Sequence, residues 1–273
     1  MFTVTKSFAN LDAFRRHLDE TQNNTAVFGS YYESEKGTRS FTGTGSFVDA
    51  DGLLRDGDTE NARKLNAAAG NGLKSANGDG ARVRRFSAVC GGVANVPATV
   101  LGLPKSMIQT RKIVYKDSKV LNLIYNTSID WTVGADEITK VSAALVCAIM
   151  GLEKKGYRVN LFVNMSVYEG TGRNKETVAA FVRIKDSGQY LDAKKMAYPL
   201  VNPSMLRRHF FKFIEKAAGI SNSRWPDGYG HPIKDAAEVA ELAKGAGVRS
   251  GRVVSFYDIR RMSAPEIMQF VLS

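Results

Sequence analysis

Arg207, Arg208 and Lys212 share one predicted helix, and Arg224 and His231 sit in the loop that follows it. Guanidinium forks and an ammonium held this close are suited to gripping a phosphate or a carboxylate. The plainer reading is a solvated basic helix face. Trp225, Tyr229 and His231 lie in a loop rich in Gly and Pro. Such rings can stack on bases or anchor a protein partner, or they can simply pin the loop to the body. Arg82, Arg84 and Arg85 precede Phe86, a second basic knot that suits nucleic acid or one face of an exposed strand. Asn126-Thr127-Ser128-Ile129-Asp130 is a polar loop of hydroxyl, amide and carboxylate groups directly after an apolar run. Cys90, beside Gly91-Gly92, is a conceivable nucleophile, but a small buried thiol is the commoner outcome. Cys147 lies inside an apolar helical stretch and reads as core. The imidazoles are His17, His209 and His231, and neither a Gly-x-Ser-x-Gly elbow nor a phosphate loop occurs. Cysteine and histidine are too few and too scattered for a zinc-type site. No catalytic constellation emerges, and the chain is expected not to be an enzyme.

The elements that must position these groups belong to a globular chain. It has 273 residues, 44% of them hydrophobic and 24% charged, which excludes global disorder. Two cysteines exclude a disulfide scaffold and fit a reducing compartment. The start of the chain lacks an export pattern, and the longest apolar stretch, near residues 143–152, is too short for a bilayer, so no membrane partner is expected. Lys and Arg outnumber Asp and Glu by 38 to 27, giving +11. The excess is uneven: residues 1–50 hold five basic and six acidic groups, whereas 151–250 hold 17 and 10. That bias favours a polyanionic partner, or it serves solubility.

Periodicity places a short amphipathic helix over residues 9–20, on Phe8, Leu11, Phe14 and Leu18. Residues 30–45 read as a loop or weak hairpin. Ser46 is a helix cap with Asp49 three residues on, and a second short helix covers 60–69. Residues 70–80 hold four Gly and two Asn and read as a linker. Beyond it, 120–125 is a buried strand, 135–155 a long helix stopped by Gly156, and 157–165 a second strand, together a right-handed parallel unit. A third strand over 177–184, a helix opened by Asn202-Pro203, a helix over 236–244, a strand over 252–257 and a helix capped by Ser263 and Glu266 complete the pattern. Alternating strands and helices predict an α/β fold with a doubly wound, mainly parallel sheet. The expected division is an irregular, partly helical N-terminal extension over 1–80 and an α/β domain over 81–273.

Residues 120–163 resemble the opening of a von Willebrand factor A-like domain: apolar strand, polar Asn/Ser/Asp loop, long helix, and Leu152-Glu153-Lys154-Lys155-Gly156-Tyr157-Arg158-Val159 running into the next strand. The segments 90–97, 182–186 and 202–208 extend the likeness to a group of uncharacterised bacteriophage proteins carrying such a domain. The resemblance implies an A-like fold, a phage source, and a place in the host cytoplasm or the virion. It implies no activity. The metal motif of A domains, Asp-x-Ser-x-Ser, reads here Asn126-Thr127-Ser128-Ile129-Asp130. Ser128 matches, Asn126 replaces the acid and Asp130 replaces the second Ser, so Ser128 and Asp130 are weak Mg²⁺ candidates and no cofactor is expected.

The leading expectation is a non-enzymatic interaction protein that docks a protein partner, or assembles with itself, at the carboxyl ends of its strands. Asn126, Ser128, Asp130 and, from the 168–174 loop, Thr171 would make the contacts. The alternative is nucleic-acid binding through Arg82, Arg84, Arg85, Arg207, Arg208, Lys212, Arg224 and His231.

Overall fold

The computed structural model describes residues 2–75, 83–112, 119–130, 132–189, 191–249 and 251–273. Its main sheet contains β1 (Phe2–Phe8), β5 (Val120–Asn126), β6 (Arg158–Glu169), β7 (Glu176–Lys185), β8 (His231–Pro232) and β9 (Arg252–Ser255). The order is β1-β7-β6-β5-β9, with β8 pairing to β6. Three pairings are parallel: β1 with β7, β5 with β6, and β5 with β9. β7 returns antiparallel on β6. The expected α/β class with a mainly parallel sheet is what the chain forms.

Both faces of this sheet are covered. Leu123 and Tyr125 of β5 face the larger core with Val178, Ala180 and Val182 of β7. Ile124, Ala179 and Phe181 face the smaller one. This alternation is the two-residue period of a strand. The larger core is built on the helix Ala135–Lys154, which packs with helices Thr59–Ser75, Ala193–Val201 and Ala264–Leu272. Ile138, Val141, Leu145, Ala148 and Leu152 are its buried stripe. The other face is closed by the helix Ala236–Gly245 through Val239 and Ala243. Gly156, at φ 93°, turns the chain from the long helix into β6.

Four expectations change here. The irregular, partly helical extension expected over residues 1–80 opens instead with β1, an edge strand of the main sheet paired along its length with β7. Phe14 and Leu18 of the helix Leu11–Glu20 are buried in the main core. Segment 30–45 is neither loop nor hairpin but part of a chain of single-turn helices, Thr25–Phe28, Glu33–Lys36 and Arg39–Thr42. The linker read over 70–80 is helical through Ser75, because Ala62, Leu65 and Ala69 are buried in the core and tertiary packing overrides the poor helix propensity of Gly and Asn; residues 76–80 lie outside the described residues. The helix expected after Pro203 opens as a π turn, Met205–Phe210, before Phe211–Glu215. Ser46 caps Phe47–Asp56 as expected, accepting from the Asp49 amide at 3.1 Å.

Between Thr59–Ser75 and β5 lies a separate three-stranded antiparallel sheet. Its order is β2 (Val83–Ala88), β4 (Met107–Lys112), β3 (Val93–Ala94), and a short helix, Val96–Val100, follows β3. Gly91 lets the chain pass tightly over β4: a Cβ there would lie 2.4 Å from the Ile108 carbonyl oxygen. Among the described residues, no helix is long and apolar enough to cross a membrane.

Candidate functional site

β5, β6 and β9 end, and β7 and β1 begin, on one side of the sheet. The loop after β5 is drawn into that end by hydrogen bonds. Asn126 donates from Nδ2 to the Ile233 carbonyl at 2.7 Å, and its Oδ1 accepts from the Ser128 amide at 3.0 Å. Ser128 Oγ accepts from the Ser166 amide at 2.8 Å. Thr127 Oγ1 donates to the Asn164 carbonyl at 3.1 Å. All three side chains are buried. Asn126 and Ser128 therefore position the loop and do not offer a contact surface, which corrects their expected role.

Asp130 stays at the surface. Its Oδ2 accepts from Lys234 Nζ and from Tyr257 OH, both at 2.7 Å, and its own amide donates to the Tyr257 oxygen at 3.0 Å. The Lys234 ammonium, followed by the Tyr257 hydroxyl, holds this carboxyl below the usual range. The carboxylate thus already faces a cation of the chain's own. Ser128 is spent on Ser166 while Asp130 turns to Lys234, a poor donor set for Mg²⁺, which wants several hard oxygens converging in an octahedron. Among the described residues, no group of three or more His, Cys, Asp or Glu side chains is placed to hold a metal.

β8 seals this end further. Val167 of β6 pairs with Val178 of β7 on one side and with Pro232 of β8 on the other. A strand has two edges, so β8 takes the β5 side, just past the point where β5 ends. His231 is thereby exposed beside Tyr168, with ring centroids 5.7 Å apart, and Lys175 Nζ lies 4.6 Å from the Tyr168 ring centre.

Next to this edge is a polar cleft of about 650 Å³, lined by Gly170, Thr171, Arg173, Lys175, Ser221 and Arg224 among others. Two expected residues, Thr171 and Arg224, meet here although 53 positions separate them. Glu176 is the wall that joins their loops. Its Oε1 accepts from the Ser221 amide and hydroxyl at 2.9 and 2.8 Å, and its Oε2 from the Asn222 amide at 3.0 Å and Trp225 Nε1 at 2.9 Å. Burial pushes this carboxyl up, but the donors outweigh it and the net shift is downward. Lys175 pairs with Glu238 at 2.7 Å.

The basic helix does not form a clamp. Arg208 is fully buried and donates to backbone oxygens of Ser34 (2.9 Å), Gly37 (3.0 Å) and Thr44 (2.9 Å) and to Thr44 Oγ1 (2.8 Å). Its fork is the hub that folds segment 30–45. Lys212 is buried against Tyr32 and pairs with Glu35. Arg207 donates to the Phe41 carbonyl at 2.6 Å and stacks on the Phe41 ring at 4.6 Å. With Thr127 and Asp130 it lines a cavity of about 40 Å³, room for about three waters. Trp225 and Tyr229 are buried, so they pin their loop and are not free to stack on a base. Tyr229 OH donates to Glu215 Oε1 at 2.6 Å, and burial raises the Glu215 carboxyl. Arg84 and Arg85 lie on β2 of the small sheet, and Arg82 is outside the described residues. Cys90, expected to be buried, is exposed, while Cys147 is buried as expected.

A family model described as a domain of unknown function, DUF7192, matches residues 3–255. The chain belongs to this family. The DUF7192 match runs from β1 to the end of β9 and so takes in the strands, the small sheet and the carboxyl-end cleft. No curated protein and no solved structure matches the chain.

Sequence reasoning missed Lys234, Tyr257 and Glu176, the three groups that organise this DUF7192 site. Each is an ordinary polar residue whose partner lies between 45 and 127 positions away, so spacing along the chain carries no trace of the contact.

Proposed function

We propose that the protein is a binding module that takes an acidic segment of a protein partner in the carboxyl-end cleft, without a metal ion. The observation that carries this reading is the cleft itself: Thr171 and Arg224 are brought together with Arg173 on the same lining, beside Lys175, which is paired with Glu238. Arg and Lys side chains at the rim of a polar pocket suit carboxylates. The order of the elements supports it too. An apolar strand, the Asn126–Asp130 loop, a long helix and a second strand follow one another as β5, loop, Ala135–Lys154 and β6, and open α/β sheets bind ligands outside the carboxyl ends of their strands. Lys234 on Asp130 supplies internally the positive charge that a metal would otherwise bring. Fold likeness alone does not set function; the reading rests on the cleft. The nucleic-acid alternative loses Arg208 and Lys212, which are buried and committed inside the body.

A glutamate-rich peptide is the probe. Calorimetric titration is expected to give saturable heat that is the same in EDTA and in Mg²⁺, and Arg224→Glu is expected to weaken binding by about tenfold, the order of one charged contact. Absence of heat at millimolar peptide, or binding that requires Mg²⁺, overturns the reading.

A further inference from the structure

We propose that the small sheet over residues 83–112 is an arm whose apolar tip inserts into the surface of an anionic lipid bilayer. The tip, residues 89–106, carries one charge, Lys105. Val89, Val93, Val96, Val100, Leu101 and Leu103 are each between 51% and 81% exposed, and Ala98 is the one buried hydrophobic residue of this stretch. Clustered exposure of large aliphatic side chains on this scale marks a contact surface.

The stem below the tip has the opposite character. Its strands, residues 83–88 and 107–112, contain four basic residues and no acidic one. In the β2–β4 ladder, Arg84 is directly opposite Arg111, and Lys112 stands one position further on, opposite Val83. An apolar end with a basic collar suits the boundary between acyl chains and acidic headgroups. Several amides of the tip are occupied. Asn95 N–H donates to the Ser106 carbonyl (2.8 Å), Thr99 to Asn95 (2.9 Å), Leu101 to Pro97 (3.1 Å) and Leu103 to Ala98 (2.9 Å). Satisfied amides lower the cost of leaving water. Contact of this kind lies on a bilayer, not across it, and needs no spanning helix.

Nucleic acid would satisfy the stem but not the tip. Its phosphates offer nothing to cover six aliphatic side chains, and residues 89–106 hold no aromatic ring on which a base could stack. A second copy of the chain would bring an equally basic stem alongside, which charge repulsion opposes.

Cys90 provides the test, since it is the exposed cysteine of the tip while Cys147 is buried. The full-length chain is labelled at Cys90 with a polarity-sensitive fluorophore and mixed with vesicles of phosphatidylserine and phosphatidylcholine, or of phosphatidylcholine alone. The expected result is a blue shift and co-flotation with the anionic vesicles only. Val100→Asp combined with Leu101→Asp is expected to reduce partitioning by more than about tenfold, with circular dichroism and melting unchanged because both residues are exposed. Arg84→Ala and Arg111→Ala are each expected to weaken it by about fivefold. The proposal is overturned by no shift and no flotation at low salt. It is equally overturned by a blue shift with duplex DNA in place of vesicles, or by a doubled mass in light scattering that accounts for the shift. None of these variants touches the carboxyl-end cleft, so this result and the peptide titration stand or fall separately.

Discussion

Replacing Arg208 with Met separates a structural arginine from a ligand-binding one. The guanidinium is fully buried and donates to the carbonyls of Ser34, Gly37 and Thr44 and to the Thr44 hydroxyl, with a longer contact to the Glu35 carbonyl at 3.4 Å. Hydrogen bonds from a charged donor contribute roughly 1.5–3 kcal/mol each. Four good ones would sum to about 6–12 kcal/mol. Against this, Met removes the several kcal/mol that it costs to keep a charge out of water, and the 30–45 segment can relax to hydrate some of its carbonyls. The net loss is about 4 kcal/mol. At roughly 2–4 °C per kcal/mol for a chain near this size, Arg208→Met should melt about 10 °C below the wild type. Limited proteolysis should then cut first within 30–45. Arg208→Lys should recover little of the loss, because one ammonium cannot reach acceptors arranged around a planar fork. A shift below about 2 °C, with no new cleavage, would refute the assignment of Arg208 as the hub of this segment.

Other consequences are checked more briefly. Asp130→Asn removes a partly exposed ion pair and should cost no more than about 1 kcal/mol; Mg²⁺ at millimolar concentration should leave the melting temperature of either form unchanged in a thermal scan. Glu176→Gln should cost about 2 kcal/mol by urea denaturation, since an amide cannot accept all the donors from Ser221, Asn222 and Trp225. The Glu176 carboxyl is depressed in the folded state, so its contribution is complete above the ordinary value of about 4.3 and is lost as pH falls below that through the folded value. The acid limb of the stability curve should therefore flatten in Glu176→Gln. Thiol titration should show Cys90 reacting at once and Cys147 only on unfolding, as their exposure requires.

How much of this is written in the sequence depends on the range of the interaction. The long helix Ala135–Lys154 and its flanking strands follow from periodicity and from Gly156, all local signals. The Ser46 cap and the Ser263–Glu266 capping box follow from spacings of three residues. β1 alternates apolar Phe2, Val4 and Phe8 with polar Thr3, Thr5 and Ser7, so its signal is present but weak, as expected for an edge strand in which Phe8 alone is buried. The single-turn helices before residue 45 carry no periodicity. They fold around a guanidinium more than 160 positions away. At the site, Asp130, Thr171, Arg224 and His231 are found at the carboxyl-end edge where doubly wound topology directs attention. Their organisers, Lys234, Tyr257 and Glu176, are invisible without the fold. Arg208 and Lys212 were misjudged because burial of a basic residue depends on carbonyls and carboxylates that only the folded N-terminal segment delivers.

The cleft between the Thr171 and Arg224 loops is proposed to take acidic groups without metal. A heteronuclear NMR titration of the ¹⁵N-labelled chain with the glutamate-rich peptide, in EDTA, tests it most directly. Saturable shifts are expected in the amides of residues 170–175 and 221–224, with saturation moved to about tenfold higher peptide in Arg224→Glu. Shifts confined to residues 83–112, or none in the cleft at millimolar peptide, would contradict it.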